Sequence, residues 1–297
     1  MRVLVTGAEG FVGRNLVPRL RDDGHEVFPT DRDLDVTDAA GVAKRVAELE
    51  PDAIVHLAAL SSVAASWREP ELTFRVNFTG SRSVLRAAAS AAGVRVLWIG
   101  SADVYGSAAP GSPAFTEASP LRPGSPYARC KAAADLLGAT YADAGLDLVR
   151  VRSFNHAGPG QSPDFVLASF AKQVAEIEAG RREPLLRVGN LESVRDFLDV
   201  QDVIDAYVRL LDRSAPAGVY NVASGIGARV GEHLETLIAL ASTKPQVEVD
   251  PERLRPTDLA VGDATRLRQA TGWQPTIPMA DTLERVLAYW RDRVNEA

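Results

Sequence analysis

Val3-Leu4-Val5 is an apolar run that stops at Gly7, and Gly10 and Gly13 follow at intervals of three. A short buried run halted by a glycine reads as a strand of a parallel sheet. From Arg14 to Asp23 the apolar residues Leu16, Val17 and Leu20 fall at helical spacing. A glycine turn between strand and helix lets backbone N–H groups and the helix N-terminus meet a pyrophosphate. The pattern is Gly-x-x-Gly-x-x-Gly, one residue longer between its first two glycines than the commonest dinucleotide fingerprint. A lone glycine triplet says little. Placed after the first strand and before the first helix, it points to a dinucleotide-binding α/β architecture.

The alternation continues. Glu26-Val27-Phe28-Pro29-Thr30 reads as a second strand ending at Asp31, where a carboxylate roughly 20 residues beyond the glycines holds a ribose 2′-hydroxyl. That carboxylate would repel a 2′-phosphate and so favours NAD, although Arg32, next in line, could serve the phosphate and admit NADP. Leu34-Asp35-Val36 is expected as a short strand with Asp35 facing the adenine amine. Ala39 to Glu50 reads as a helix, Ala53 to Leu57 as a buried strand, and Ala58-Ala59 as small residues where a cofactor passes close. Glu71 to Ala92 is expected as one long helix containing Asn77, Val94 to Ile99 as the strand that delivers Ser101, and Leu146 to Val151 as the next strand. Such alternation implies a parallel sheet whose ligand crevice lies at the strands' C-terminal ends. Gly7, Asp31, Ala58, Ser101 and Asn155 all fall at such ends.

The chemistry-bearing stretch is Ser101 to Lys131. If Tyr127 begins a helix, Lys131 lies one turn on along the same face, close enough for its ammonium to sense the phenol. A free phenol has a pKa near about 10, and a nearby cation favours the phenolate. Ser101 could hydrogen-bond the same substrate oxygen. Together these groups move a proton on or off a carbinol while a hydride moves on or off its carbon.

Composition sets the bounds. With 297 residues, 46% of them hydrophobic, the chain can bury a large core as one big domain or two modest ones. A net charge of −6 argues against a nucleic-acid footprint. Cys130 is the one cysteine, which excludes an intrachain disulfide and reads as filler. The start is too short in apolar residues for a signal peptide and no stretch approaches a membrane span, so a soluble, cytoplasmic protein is expected. His25, His56, His156 and His233 lack metal-ligand spacing, so no metal is expected, and His56 reads as a core histidine.

After residue 152 the texture changes. Ser153 to Gln161 is loop-like, Phe165 to Ala179 helical, Leu185 to Asn190 a strand ending in a turn, and Val194 to Val200 leads into a helix through Leu211. Val219 to Ala223 is a further strand. This half reads as a smaller lobe closing over a ligand. Arg187, Arg195 and Arg255 fall at strand ends or in loops from which a planar donor fork could clamp phosphates.

With these residues in place, the chain resembles, end to end, the extended short-chain dehydrogenase/reductase family acting on nucleotide sugars. The strings that carry the likeness are the glycine turn, the Ser101/Tyr127/Lys131 set, Phe154-Asn155-His156 through Gly158-Pro159-Gly160-Gln161, Gly189-Asn190-Leu191 with Arg195-Asp196-Phe197, Arg255-Pro256-Thr257-Asp258, and Gly272-Trp273-Gln274-Pro275. They are most similar to the branch handling GDP-linked 4-keto-6-deoxyhexoses, its ketoreductases and its GDP-mannose 4,6-dehydratases. The resemblance implies a Rossmann-type doubly wound parallel sheet with a smaller α/β substrate-binding lobe. It assigns 1–152 to the dinucleotide-binding domain, with 196–215 returning to it, and 153–195 and 216–297 to the nucleotide-sugar-binding lobe. It also implies a homodimer.

Carried over by position, Gly7, Gly10, Phe11, Val12, Gly13, Asp31, Arg32, Asp35, Val36, Leu57, Ala58, Ala59, Asn77 and Phe154 would form the cofactor site with Tyr127 and Lys131. Ser62, Ser101, Asn155, Val166, Lys172, Arg187, Arg195, Arg255 and Asp258 would hold the nucleotide sugar. Ser101, Tyr127 and Lys131 would be catalytic, Lys131 also touching the nicotinamide ribose. Asp103 stands where a sugar dehydratase carries Glu as the base for the C5 proton, one methylene shorter, and neighbouring Ala102 supplies no acid to expel the C6 hydroxyl. A misplacement of roughly 1 Å costs about a hundredfold. The short path from Asp31 to Asp35 also departs from the dehydratases. The expected activity is therefore NAD(P)H-dependent reduction of the C4 ketone of a GDP-linked 4-keto-6-deoxyhexose, giving GDP-D-rhamnose. The rivals are an NAD-dependent 4-epimerase or 4,6-dehydratase acting on GDP-mannose or a UDP-sugar, and a non-enzymatic dinucleotide sensor.

Overall fold

The computed structural model describes residues 1–254 and 257–296. In chain order the first half runs β1 (Arg2–Thr6), α1 (Phe11–Asp22), β2 (Glu26–Thr30), α2 (Ala39–Leu49), β3 (Ala53–His56), α3 (Val63–Arg68), α4 (Pro70–Phe74), α5 (Ser81–Ala89), β4 (Arg95–Ile99), α6 (Pro126–Asp143) and β5 (Asp147–Ser153). Then follow β6 (Asn155–Ala157), α7 (Val166–Glu178), β7 (Leu185–Val188), β8 (Val194–Asp199), α8 (Val200–Leu211), β9 (Gly218–Val222), β10 (Gly227–Arg229), α9 (Val230–Leu240), β11 (Gln246–Val249), β12 (Leu259–Ala260), α10 (Thr265–Thr271) and α11 (Met279–Glu296).

Six strands form one parallel sheet in the order β2-β1-β3-β4-β5-β9. Alternate side chains of a strand point to opposite faces, and here both faces are buried. Val3, Val5, Val55, Leu97 and Val151 join Leu16 and Leu20 of α1 and Val203, Ile204 and Tyr207 of α8 in one core. Leu4, Ile54, Val96 and Leu148 face the other way, onto Val42 and Val46 of α2 and Val84 and Leu85 of α5. Helices on both faces of a parallel sheet are the doubly wound arrangement, with the crevice at the strands' C-terminal ends. The second lobe has its own core, built from Leu167, Phe170 and Val174 of α7, Leu234 and Leu237 of α9, and Leu283 and Leu287 of α11. Its strands form a small sheet β10-β8-β12, with β6 also on β8, and a parallel pair β11-β7.

Three expectations need correction. Residues 216–297 were assigned to the lobe as a block, yet β9 completes the main sheet by pairing with β5, from Val149 opposite Gly218 to Ser153 opposite Val222. Ala264 and Leu267 near α10, together with Trp273, enter the same core. The free edge of β5 is filled by a strand far away in sequence, which no local signal reveals. Leu34-Asp35-Val36 is not a strand but turns: the Asp35 carboxylate accepts from both the backbone N–H and the hydroxyl of Thr37 at 2.8 Å, so side chain replaces ladder. The single helix expected over Glu71 to Ala92 is split, α4 passing through a π-helical turn, Arg75–Gly80, before α5. Such turns widen the backbone ladder by one residue, and this one carries Asn77.

Candidate active site

The glycine turn is a cradle from which side chains are excluded. Gly7 adopts φ +73°, and a Cβ there would lie 2.6 Å from the Ala58 nitrogen. A Cβ on Gly13 would lie 2.4 Å from the Gly7 carbonyl oxygen. Both positions therefore require glycine. Gly10 caps α1 with extended backbone, leaving the helix N-terminus without a side-chain cap and Phe11 and Val12 on its first turn. The cradle fits a dinucleotide pyrophosphate: an uncapped helix N-terminus follows a turn whose Gly7 and Gly13 admit no side chain.

At the end of β2, the Asp31 carboxylate accepts the Glu9 backbone N–H at 3.0 Å, closing the turn. A cavity of about 310 Å³ opens beside it, lined by Glu9, Arg14, Thr30, Asp31 and Asp33. Arg32 is exposed, Asp35 is exposed with its carboxyl held below its usual range chiefly by the Thr37 N–H, and Val36 is buried. Leu57, Ala58 and Ala59 follow β3 at the crevice, partly buried.

Asn77 is fully buried, and its amide exchanges hydrogen bonds with the N–H and carbonyl of Leu60, at 2.8 and 3.0 Å. It therefore shapes the loop after β3. Ser62 caps α3 by accepting the Ala65 N–H at 3.1 Å. Phe154, expected at the cofactor, has its ring in the core instead, 2% exposed and close beneath Gly262, because a hydrophobic ring at that strand end is driven inward. His56 is the expected core histidine: its ring nitrogens meet the Thr6 and Ser81 hydroxyls at 2.8 and 3.2 Å, and burial pushes its pKa down to about 3.

The proton-handling groups converge at the end of β4. Ser101 caps the 3₁₀ turn Ala102–Tyr105, its hydroxyl accepting the Asp103 N–H at 3.1 Å. Helix α6 begins where the sequence dictates, with Ser125 accepting the Ala128 N–H at 3.1 Å and Pro126 in the first turn. That start fixes Tyr127, whose backbone N–H donates to Ser66 at 3.2 Å. Tyr127 and Lys131 are 8% and 4% exposed.

The expectation that Lys131 acidifies Tyr127 is not met. The lysine ammonium donates to the Ile99 carbonyl at 2.8 Å and lies 5.3 Å from the centre of the Trp98 ring. Burial pushes its own pKa down to about 8. The phenol is pushed up, first by burial and then by the Asp103 carboxylate and Tyr207, while a hydrogen bond with Ser101 pulls it down. Burial thus favours the protonated phenol. Asp103 is itself pushed up by burial and by Asp258 and drawn down by Arg195.

The lobe carries the residues expected at the nucleotide diphosphate. Arg195 on β8 is ion-paired with Asp258, which directly precedes β12. The strap that follows Asp103 ties this pair to the catalytic turn: Ala108 donates to the Leu259 carbonyl and Phe115 to that of Val261, each at 2.8 Å. Asn155 opens β6 opposite Phe197. Val166, at the start of α7, and Arg187 on β7 are exposed, whereas Lys172 is paired with Glu176. Arg255 lies outside the described residues.

Sequence reasoning missed two groups that hold this site. Asp135, one turn beyond Lys131, is fully buried between Arg150 at 2.6 Å and Arg152 at 2.8 Å, and Arg152 also donates to the Tyr105 hydroxyl at 3.0 Å. Tyr207 of α8 is fully buried and bears on Tyr127 from the opposite face of the sheet. Charged residues at alternating positions of a strand otherwise buried were the available signal for the first; none marked the second.

Residues 3–223 match the NAD dependent epimerase/dehydratase family, and the chain belongs to it. It is an NAD(P)-dependent enzyme of the extended short-chain dehydrogenase/reductase type. It is 36% identical to GDP-6-deoxy-D-mannose reductase of Pseudomonas aeruginosa, over 99% of each chain. Its structure matches RMD from Pseudomonas aeruginosa complexed with NADPH at a TM-score of 0.91 and 35% identity, over 98% of this chain and 99% of that one. It also matches UDP-glucose 4-epimerase of Thermus thermophilus in complex with NAD, at a TM-score of 0.88 and 30% identity over the same shares.

Proposed function

We propose that the protein reduces the C4 ketone of a nucleotide-linked 4-keto-6-deoxyhexose, GDP-4-keto-6-deoxy-D-mannose to GDP-D-rhamnose, with NADH or NADPH. The observation that carries this reading is the 36% identity, over 99% of each chain, to GDP-6-deoxy-D-mannose reductase. Asp103, a methylene shorter than the Glu expected of a dehydratase, and Ala102 beside it agree with reduction.

Gly7, Gly10 and Gly13 would hold the cofactor pyrophosphate and Asp31 its ribose; Asp31 favours NADH. The bound cofactor supplies the hydride. Ser101 and Tyr127 orient the ketone oxygen, and Tyr127 passes its proton to that oxygen as C4 becomes a carbinol. Lys131, with a pKa of about 8 and its ammonium on the Ile99 carbonyl, keeps its charge at neutral pH and would touch the nicotinamide ribose. Arg195, Arg187 and Asn155 would take the nucleotide diphosphate, with Val166, Lys172, Asp258 and Ser62 around it. Adding the keto-sugar to protein and NADH or NADPH is expected to consume cofactor one for one; no absorbance change with either would sink the proposal.

The 30% identical UDP-glucose 4-epimerase favours a second reading, catalysis with retained NAD+. Turnover of GDP-mannose or a UDP-sugar without added reduced cofactor would decide for it. As for assembly, exposed Trp67 (59%) and Leu136 (61%), on the packed helices α3 and α6, support the expected homodimer. Sedimentation showing a monomer that Leu136→Arg leaves unchanged would exclude that face.

A further inference from the structure

We propose that Tyr105 and Arg152 are positioning residues: with Asp135 they brace the Ser101 turn against helix α6 and set the spacing between Ser101 and Tyr127. This rests on the reading of those two hydroxyls as the pair that holds the sugar C4 oxygen.

The two hydroxyls come from different elements. Ser101 precedes the turn Ala102–Tyr105, and Tyr127 stands at the head of α6. Two links join these elements, one on each side of Ser101. Ahead of it, the Lys131 ammonium of α6 donates to the carbonyl of Ile99, the last residue of β4, at 2.8 Å. Behind it, the link runs through side chains. Asp135, one turn beyond Lys131 and fully buried, accepts from Nε of Arg152 at 2.8 Å and from its Nη2 at 3.2 Å. Nη1 of the same guanidinium donates to the Tyr105 hydroxyl at 3.0 Å, at the far end of the turn. That hydroxyl donates in turn to Oδ1 of Asn221, on β9, at 2.6 Å. The chain before Ser101 and the chain after it are thus both held to one helix, the helix that presents Tyr127.

The brace is built to stay in one arrangement. Tyr105 and Arg152 are buried, and the Tyr105 ring is stacked on Phe115 with centroids 4.9 Å apart and planes 7° apart. The Asn221 amide nitrogen donates to the Phe115 and Asp263 carbonyls at 2.8 and 3.2 Å. A buried polar network whose members all find partners specifies one geometry. The backbone bonds of the turn lead elsewhere: Gly100 donates to the Val151 carbonyl at 2.7 Å, and Arg122 donates to that of Val104 at 2.8 Å. Neither reaches α6. The spacing matters because two groups on one reacting oxygen must be placed closely, and a misplacement of roughly 1 Å costs about a hundredfold.

The test compares the native protein with Tyr105→Phe, which keeps the ring and removes one oxygen. Turnover is followed on GDP-4-keto-6-deoxy-D-mannose with NADPH, and on UDP-glucose with NAD+. In Tyr105→Phe, kcat should fall about tenfold with KM for sugar and cofactor unchanged, as for a displacement of roughly half an ångström. Made in a Ser101→Ala background, the same change should cost less than about twofold, because one member of the pair is already gone. Arg152→Lys has one ammonium where the fork served both Asp135 and Tyr105, so it should repeat the loss. It carries the test if the phenylalanine variant does not fold. In the ligand-free protein, hydrogen exchange read by mass spectrometry should quicken about tenfold over residues 101–106 and 127–131, with α2 on the same sheet unaffected. A merely structural tyrosine would loosen α2 as well. Unchanged kcat, an equal loss in the Ser101→Ala background, or exchange that is unchanged or quickens equally in α2 would overturn the proposal. If the native protein does not reduce the keto-sugar, the proposed function fails, while UDP-glucose turnover or the exchange data still decide this inference.

Discussion

In the six-stranded half, Ser101, Tyr127 and Lys131 are each less than a tenth exposed, and backbone or buried side chains hold their polar atoms. In the lobe, Arg187 is exposed, Arg195 rests on Asp258 and Lys172 on Glu176, every paired side chain between a fifth and two-fifths exposed. The first region fixes geometry before any ligand arrives, as proton transfer in a desolvated site requires. The second keeps its cations in partly solvated pairs, which are worth little each, as the proposed diphosphate site would require. One Asp258 oxygen is buried without a hydrogen-bond partner among the described residues. On the proposed reading, chemistry is preset on the sheet and recognition is completed on binding.

That contrast can be broken most sharply at Tyr127. Tyr127→Phe removes the proton donor and little else, so turnover should fall about 10³-fold while cofactor binding, followed by fluorescence, is unchanged. Equal losses in both would mean that the phenol also builds the cradle. Next in size is the support beneath it. Asp135→Asn leaves Arg150 and Arg152 buried without their carboxylate, and breaking such a pair costs about 3–5 kcal/mol. Denaturant unfolding should show it; a loss below about 1 kcal/mol would mean that water already reaches the network. The lobe should respond more mildly. Arg195→Ala should raise KM for the nucleotide sugar about tenfold, the scale of one charge-assisted hydrogen bond, with kcat nearly kept. A fall in kcat instead would move Arg195 to the chemical side of the comparison.

The same division decided what could be read in advance. The glycine turn, Ser101 at a strand end, and Tyr127 with Lys131 at the start of α6 are specified locally, by glycine spacing, by strand length, and by Ser125-Pro126 at the helix entrance. The place of β9 depends on a neighbour far away in sequence, and the π turn at Asn77 depends on the loop it must hold, so neither was visible. The electrostatics of Tyr127 were misjudged for a related reason. Helical spacing shows that Lys131 lies on the phenol's face, but not that the Ile99 carbonyl captures its ammonium, nor that Asp103 bears on the phenol. Residues specify neighbours along the chain more plainly than they specify where a charge points.

Reduction with NADH or NADPH deuterated at the transferred position tests the central claim most directly, with the product sugar read by NMR. One deuterium at C4 of the hexose per cofactor oxidised is the expected result. Sugar converted with no deuterium at C4 and no net oxidation of cofactor would contradict it, since hydride would then have left and returned within a single bound substrate.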